Sequence, residues 1–124
     1  MKRQRQANTT PEILTRQIVH RLGHRFRLRN TDLPGTPDLA NRTRRWAIFV
    51  HGCYWHAHRG CHRATVPKRN RQFWLEKFED NRRRDRRKQR QLRELGYTVL
   101  TVWECETKEP TFLVRKLRRD LPRP

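Results

Sequence analysis

Apolar and polar positions alternate along the chain in blocks whose periods predict α-β-β-β-α-β-α. Thr9-Thr10-Pro11-Glu12 is a helix start, with Thr at the cap, Pro in the first turn and Glu three residues after Thr9. Leu14, Ile18 and Leu22 then recur at helical spacing, joined by Ile13 and Val19, until Gly23 ends the helix. Phe26 and Leu28 alternate with Arg25, Arg27 and Arg29, the pattern of a half-exposed strand. Leu33-Pro34-Gly35-Thr36-Pro37 is a turn, because two prolines fix φ around a glycine. Asp38-Leu39-Ala40 reads as a short strand, residues 41–44 as a connecting turn, and Trp46-Ala47-Ile48-Phe49-Val50 as a buried strand.

A polar stretch rich in Cys and His follows, and Asn70 then caps a long helix that Gly96 closes. Its apolar positions are Phe73, Trp74 and Phe78, then Leu92 and Leu95. The middle, Arg82-Arg83-Arg84-Asp85-Arg86-Arg87-Lys88, reads as a face turned to solvent or nucleic acid. Residues 97–103 are a β-forming run, and Glu109-Pro110 opens a last basic helix carrying Phe112, Leu113 and Leu117. The order predicts a single α/β domain over 1–124, a small mixed sheet with helices on its faces. Residues 1–8 and 119–124 are expected to be flexible basic ends.

Charge narrows the partner. Lys and Arg number 31 against 12 acidic residues, a formal net charge of +19, and most of the cations are Arg. Guanidinium forks match phosphate, so nucleic acid is the expected ligand. The four Trp and five Phe argue against disorder despite the charge. No apolar run approaches the length that spans a bilayer, and the basic segments lack an apolar face to insert. The basic N-terminus is followed by no apolar stretch, so a cytoplasmic, nucleoid-associated location is expected. With 33% hydrophobic residues the core is small and a staple helps it.

Cys53, His58, Cys61 and Cys105 offer that staple. Thiolates and imidazole in a closed set of four suit structural zinc, with no open position for catalysis. His62 is an alternative nitrogen ligand, and buried cysteines acting as small hydrophobes are the plainer reading. Asp38, after Pro37 and at a strand start, is of the type that holds Mg2+, although Asp after Pro also suits a turn. Glu12 is a capping partner or a site carboxylate. His51 and His56 flank the first cysteine and suit proton transfer beside a phosphate. Tyr54-Trp55 between them serve either as core or as rings that stack on bases.

Leu33-Pro34-Gly35-Thr36-Pro37-Asp38, Phe49-Val50-His51-Gly52-Cys53-Tyr54-Trp55-His56, Phe73-Trp74-Leu75-Glu76-Lys77, Asn81, Arg84-Asp85 and Val102-Trp103-Glu104-Cys105 together resemble the very short patch repair (Vsr) endonucleases. The resemblance runs in order from about Thr9 to Glu106. It implies a restriction-endonuclease-like fold, a mixed central sheet flanked by helices with a structural zinc. It also implies Mg2+-dependent nicking of one DNA strand beside the T of a T·G mismatch left by deaminated 5-methylcytosine. Residue by residue, the resemblance makes Asp38 the Mg2+-binding carboxylate, joined by the backbone carbonyl of Val50, where the family usually has Thr. His51 and His56 become the catalytic histidines and Glu12 a partner in the same site. Tyr54 and Trp55 become wedges into the duplex, and Cys53, His58, Cys61 and Cys105 the zinc ligands, with one residue more than usual between His58 and Cys61.

Double-stranded DNA carrying a T·G mismatch is then the substrate, gripped along its phosphates by Arg83, Arg86 and Arg87 of the long helix. A monomer is expected, with mismatch-repair proteins of the MutL type as partners and no membrane association. Two alternatives share the residues: a restriction-type nuclease of the same fold with another sequence or lesion specificity, and a zinc-stapled nucleic-acid-binding protein without catalysis.

Overall fold

The computed structural model describes residues 9–53 and 68–124. Helix α1 (Thr10–Arg21) begins where the pattern places it, with the Glu12 amide donating to Thr9 Oγ1 at 3.4 Å. Strand β1 (Leu39–Asn41) pairs antiparallel with β2 (Trp46–His51), and β2 pairs parallel with β3 (Thr98–Trp103). Helix α2 (Arg71–Glu94) lies in the connection between β2 and β3, since parallel neighbours require a crossover. A short 3-10 turn (Glu104–Lys108) follows β3 and leads into α3 (Pro110–Asp120).

The sheet, in the order β1-β2-β3, is covered on both faces. Ile18 and Val19 of α1 and Leu113 and Leu117 of α3 pack against Leu39, Trp46, Ile48, Leu100 and Val102 on one side. Leu92 of α2 packs with Ala40, Ala47 and Phe49 on the other. Burial of β2 on both faces explains its unbroken apolar run. This mixed α/β layering is compatible with the nuclease fold that the resemblance implies.

Gly96 stops α2 as expected. At φ +91° it donates to the Arg93 carbonyl at 2.9 Å while Tyr97 donates to that of Leu92 at 3.1 Å, the paired bonds of a Schellman end. Gly35 is needed for closeness as well as for its φ of +76°. A Cβ there would stand 2.9 Å from Lys88 Cβ and 3.0 Å from the Phe49 ring, so the Pro-Gly turn lies between α2 and β2.

Four expectations are corrected. Phe26–Leu28 is no strand: Arg27 alone bridges to Ala40, and Arg29 at φ +55° breaks the extended run. Asn70 precedes α2 in a left-handed conformation without a side-chain cap bond, because capping requires extended backbone at that position. The charged middle of α2 is not wholly solvated, since Gln89 donates to Thr101 Oγ1 at 2.9 Å and Asp85 faces the sheet. Residues 119–124, expected to be a loose basic end, carry Leu121 into the core. Among the described residues no helix is long and apolar enough to cross a membrane.

Candidate active site and metal centre

Of the residues singled out from the sequence, Asp38, Val50, His51, Cys53 and Cys105 lie together where β2 ends. Asp38 stands just before β1, and its amide donates to the Ile48 carbonyl at 3.0 Å. Its Oδ2 accepts the Val50 amide at 2.7 Å, a short charge-assisted bond. In a strand the N–H and C=O of one residue point to the same edge. The Val50 carbonyl therefore faces the edge on which the Asp38 carboxylate is pinned. A carboxylate beside a carbonyl is an all-oxygen donor pair, the type that Mg2+ prefers.

His51 is the next residue, so its ring turns to the opposite face of the sheet, toward α2. It is buried, edge-on to Trp103 at 5.3 Å between ring centres and tilted against Phe49 at 5.8 Å. Its Nδ1 stands 4.0 Å from Asp85 Oδ2. Asp85 was quoted in the resemblance but not among the expected site residues. Helical spacing was the signal: Phe78, Asp85 and Leu92 are seven apart, and both flanking residues are buried. The arginines around Asp85 obscured its place on the inward face.

Glu12 is buried in the first turn of α1, with Oε2 3.3 Å from the Arg16 guanidinium. Its carboxylate forms an i,i+4 pair with Arg16, a structural role open to it beside that of a site carboxylate.

Two of the four expected zinc ligands meet. His51 is in register with Trp103 across the parallel pair, so Cys53 and Cys105 each lie two residues beyond matched positions. The Cys105 amide donates to Cys53 Sγ at 3.4 Å, and the Cys53 amide to Glu104 Oε1 at 3.4 Å. Cys53 is fully buried. His58, Cys61 and the alternative ligand His62 lie outside the described residues, as do Tyr54, Trp55 and His56. Among the described residues no group of three or more metal-ligating side chains forms.

Arg83 and Arg86 project from α2 into solvent and lie 3.6 Å from Asp80 and 3.5 Å from Glu79. Exposed pairs of this kind are weak and exchange readily for phosphate. Arg87 on the same helix is exposed as well.

Known proteins are similar to this chain over most of its length. The family model described as DNA mismatch endonuclease Vsr matches residues 1–63. The chain is similar to the type II nicking enzyme V.XorIIP of Xanthomonas oryzae pv. oryzae, 45% identical over 121 residues that cover 98% of this chain and 88% of the relative. It is 36% identical to the type II nicking enzyme V.NmeAIP of Neisseria meningitidis over 111 residues, 90% of this chain and 79% of that one. It is 48% identical to the DNA mismatch endonuclease Vsr of Escherichia coli over 83 residues, 67% of this chain and 53% of that enzyme. The family match spans Asp38, Val50 and His51, and the first relative extends it past Cys105, so the chain belongs to the Vsr family of DNA mismatch endonucleases.

Proposed function

We propose that this protein nicks one strand of duplex DNA beside the T of a T·G mismatch by Mg2+-dependent phosphodiester hydrolysis. The observation that carries the reading is the pinning of Asp38 Oδ2 by the Val50 amide at 2.7 Å, one residue from a buried His51. Asp38 and the Val50 carbonyl are the residues that would hold Mg2+, which supplies charge neutralisation at the scissile phosphate and the leaving oxygen. Everything else falls to the chain. His51, buried with Nδ1 4.0 Å from Asp85 Oδ2, is the ring for proton transfer. His51 and His56 divide the removal of a proton from the attacking water and its delivery to the leaving oxygen. Cys53 and Cys105, with His58 and Cys61, are the side chains that would hold a structural zinc, which would staple the loop carrying Tyr54, Trp55 and His56. Tyr54 and Trp55 wedge next to the mismatch, where unstacking costs least.

The names of the relatives favour a second reading of specificity alone. Several are named type II nicking enzymes, a name that carries no mismatch. Single-turnover cleavage of T·G and matched T·A duplexes in varied flanking sequence, with and without Mg2+, tests both readings. Faster Mg2+-dependent nicking of T·G duplexes supports the proposal. Equal nicking of matched DNA selects the restriction-type alternative. Binding without cleavage selects the non-catalytic one.

A further inference from the structure

A groove of about 710 Å³ opens between the loop after α1 and the β1–β2 turn, lined by Arg25, Arg27, Arg42 and Arg44 with His24 in its wall. It is distinct from the cleavage end of the sheet. Arg42 and Arg44 lie in the turn before Trp46, whereas His51 closes the other end of β2, about 16 Å along the strand at its usual rise.

The groove is a built feature. Arg27 and Ala40 exchange backbone hydrogen bonds at 2.8 and 3.2 Å, which fastens its two walls together. Asn41 ties the rims: Nδ2 donates to the Arg25 carbonyl at 2.9 Å, and Oδ1 accepts the Arg44 amide at 2.8 Å. The arginines divide into two kinds. Arg42 is committed, forked onto Asp32 and donating to Asn30 Oδ1 at 3.0 Å. Among the described residues no carboxylate lies within ion-pair distance of Arg25, Arg27 or Arg44. Three exposed guanidinium groups on a braced frame, beside an Asp32 that Arg42 already forks, form a receptor for phosphate oxygens.

We propose that this groove is a second DNA-backbone site, in which Arg25, Arg27 and Arg44 hold phosphates of the duplex away from the nicked position. Its ligand rests on the DNA-cleaving reading, but its contribution is separable. Phosphate contacts add affinity and register without sequence information, so the groove grips matched and mismatched DNA alike.

The test is the salt dependence of binding to a matched duplex by fluorescence anisotropy. Replacing Arg25, Arg27 and Arg44 together with Gln should lower the slope of log affinity against log salt by about 0.9 per lost contact. Replacing Lys108 and Arg115, exposed on the 3-10 turn and on α3 and outside the groove lining, is the control for charge alone and should lower it less per charge removed. Lys at the three groove positions should restore most of the slope, which separates lost contacts from lost folding. A wild-type slope in that variant, or a loss per charge equal to the control's, overturns the groove while leaving the nuclease reading intact. Groove variants that lose affinity for a deoxynucleoside monophosphate but not for duplex also overturn it, in favour of a free nucleotide. Wild-type protein that binds duplex with the expected slope but never nicks overturns the nuclease reading and leaves the groove standing.

Discussion

Asp85 Oδ2 stands 4.0 Å from Nδ1 of His51, although the two residues belong to a helix and a strand joined by a long connection. The pairing gives the charged middle of α2 an inward-facing task. A carboxylate at one ring nitrogen orients the imidazole and selects the nitrogen presented to the reaction. Asp85→Ala should therefore slow single-turnover nicking of a T·G duplex by a factor below that of His51→Ala, for which roughly 10²–10⁴-fold is typical of a proton-transfer group. Asp85→Asn, which keeps a hydrogen-bonding oxygen, should recover part of the rate. Equal losses for Ala and Asn with unchanged binding would make charge, and not orientation, the contribution of Asp85.

Asp38→Asn should abolish Mg2+-dependent nicking while leaving duplex binding in place. The amide oxygen can still accept the Val50 N–H now bonded at 2.7 Å, so the fold loses only about 1 kcal/mol, the usual difference between a charged and a neutral acceptor. What disappears is the anionic oxygen that a hard cation needs. Single-turnover rates over a range of Mg2+ concentrations check this, and near-wild-type cleavage would place the metal elsewhere.

Much of this arrangement was legible in the sequence because it follows from local chemistry. The Thr9 cap, the Gly96 stop, the two-sided burial of β2 and the opening of α3 at Pro110 each rest on neighbours within one turn. The pairing of Cys53 with Cys105 needed more, because it depends on the parallel register His51↔Trp103. Spacing along the chain could name the ligands but not bring them together. Phe26 and Leu28 misled for a related reason. Alternation is necessary for a strand, but pairing also needs a partner, and β1 is only three residues long. Asp85 and the arginine groove were hidden by composition, since a run of like charges gives no sign of which members face inward.

The purified protein should carry about one zinc, by the four-ligand count. Cys53→Ala should release it and lower the melting temperature sharply, because binding to such a site is folding free energy in a small core. Cys105→Ala should do the same, since its amide donates to Cys53 Sγ and its thiolate would be a ligand of the same metal. Metal analysis of protein prepared without chelator decides the matter, and a folded, zinc-free sample would exclude the staple.

His24 gives the stability of the fold a pH dependence of definite sign. It is buried edge-on against Trp46 at 5.8 Å, its Nδ1 has no hydrogen-bond partner, and burial holds its pKa below the ordinary value of 6.5. The unfolded chain therefore binds a proton at this residue more readily than the folded one. The neutral imidazole contributes stability that is fully present above 6.5 and is lost as pH falls through the folded-state value. Melting temperature should drop as pH falls below 6.5, and His24→Gln should flatten that limb while lowering stability at neutral pH. An unchanged slope in the variant would assign the acid sensitivity to other groups.

Lys116 and Glu106 hold the 3-10 turn that carries Cys105. The Lys116 ammonium donates to the Thr101 carbonyl at 2.6 Å and to Glu106 Oε1 and Oε2 at 2.9 and 3.0 Å, and Glu106 Oε1 also accepts the Trp103 amide at 2.8 Å. One carboxylate thus joins the end of β3 to α3 across the turn. Both side chains are largely buried, so removing the cation leaves an uncompensated carboxylate as well as an unpaired carbonyl. Lys116→Met should cost about 2 kcal/mol in denaturant unfolding, the scale of a charged hydrogen bond lost in a sheltered place. The double variant Lys116→Met with Glu106→Gln should recover part of that loss, because the stranded charge is gone. If the clamp positions Cys105, the single variant should also release zinc at lower chelator concentration than wild type, and the double variant should lie between them. Additive losses in the two substitutions, with zinc retention unchanged, would reduce the clamp to an ordinary surface ion pair.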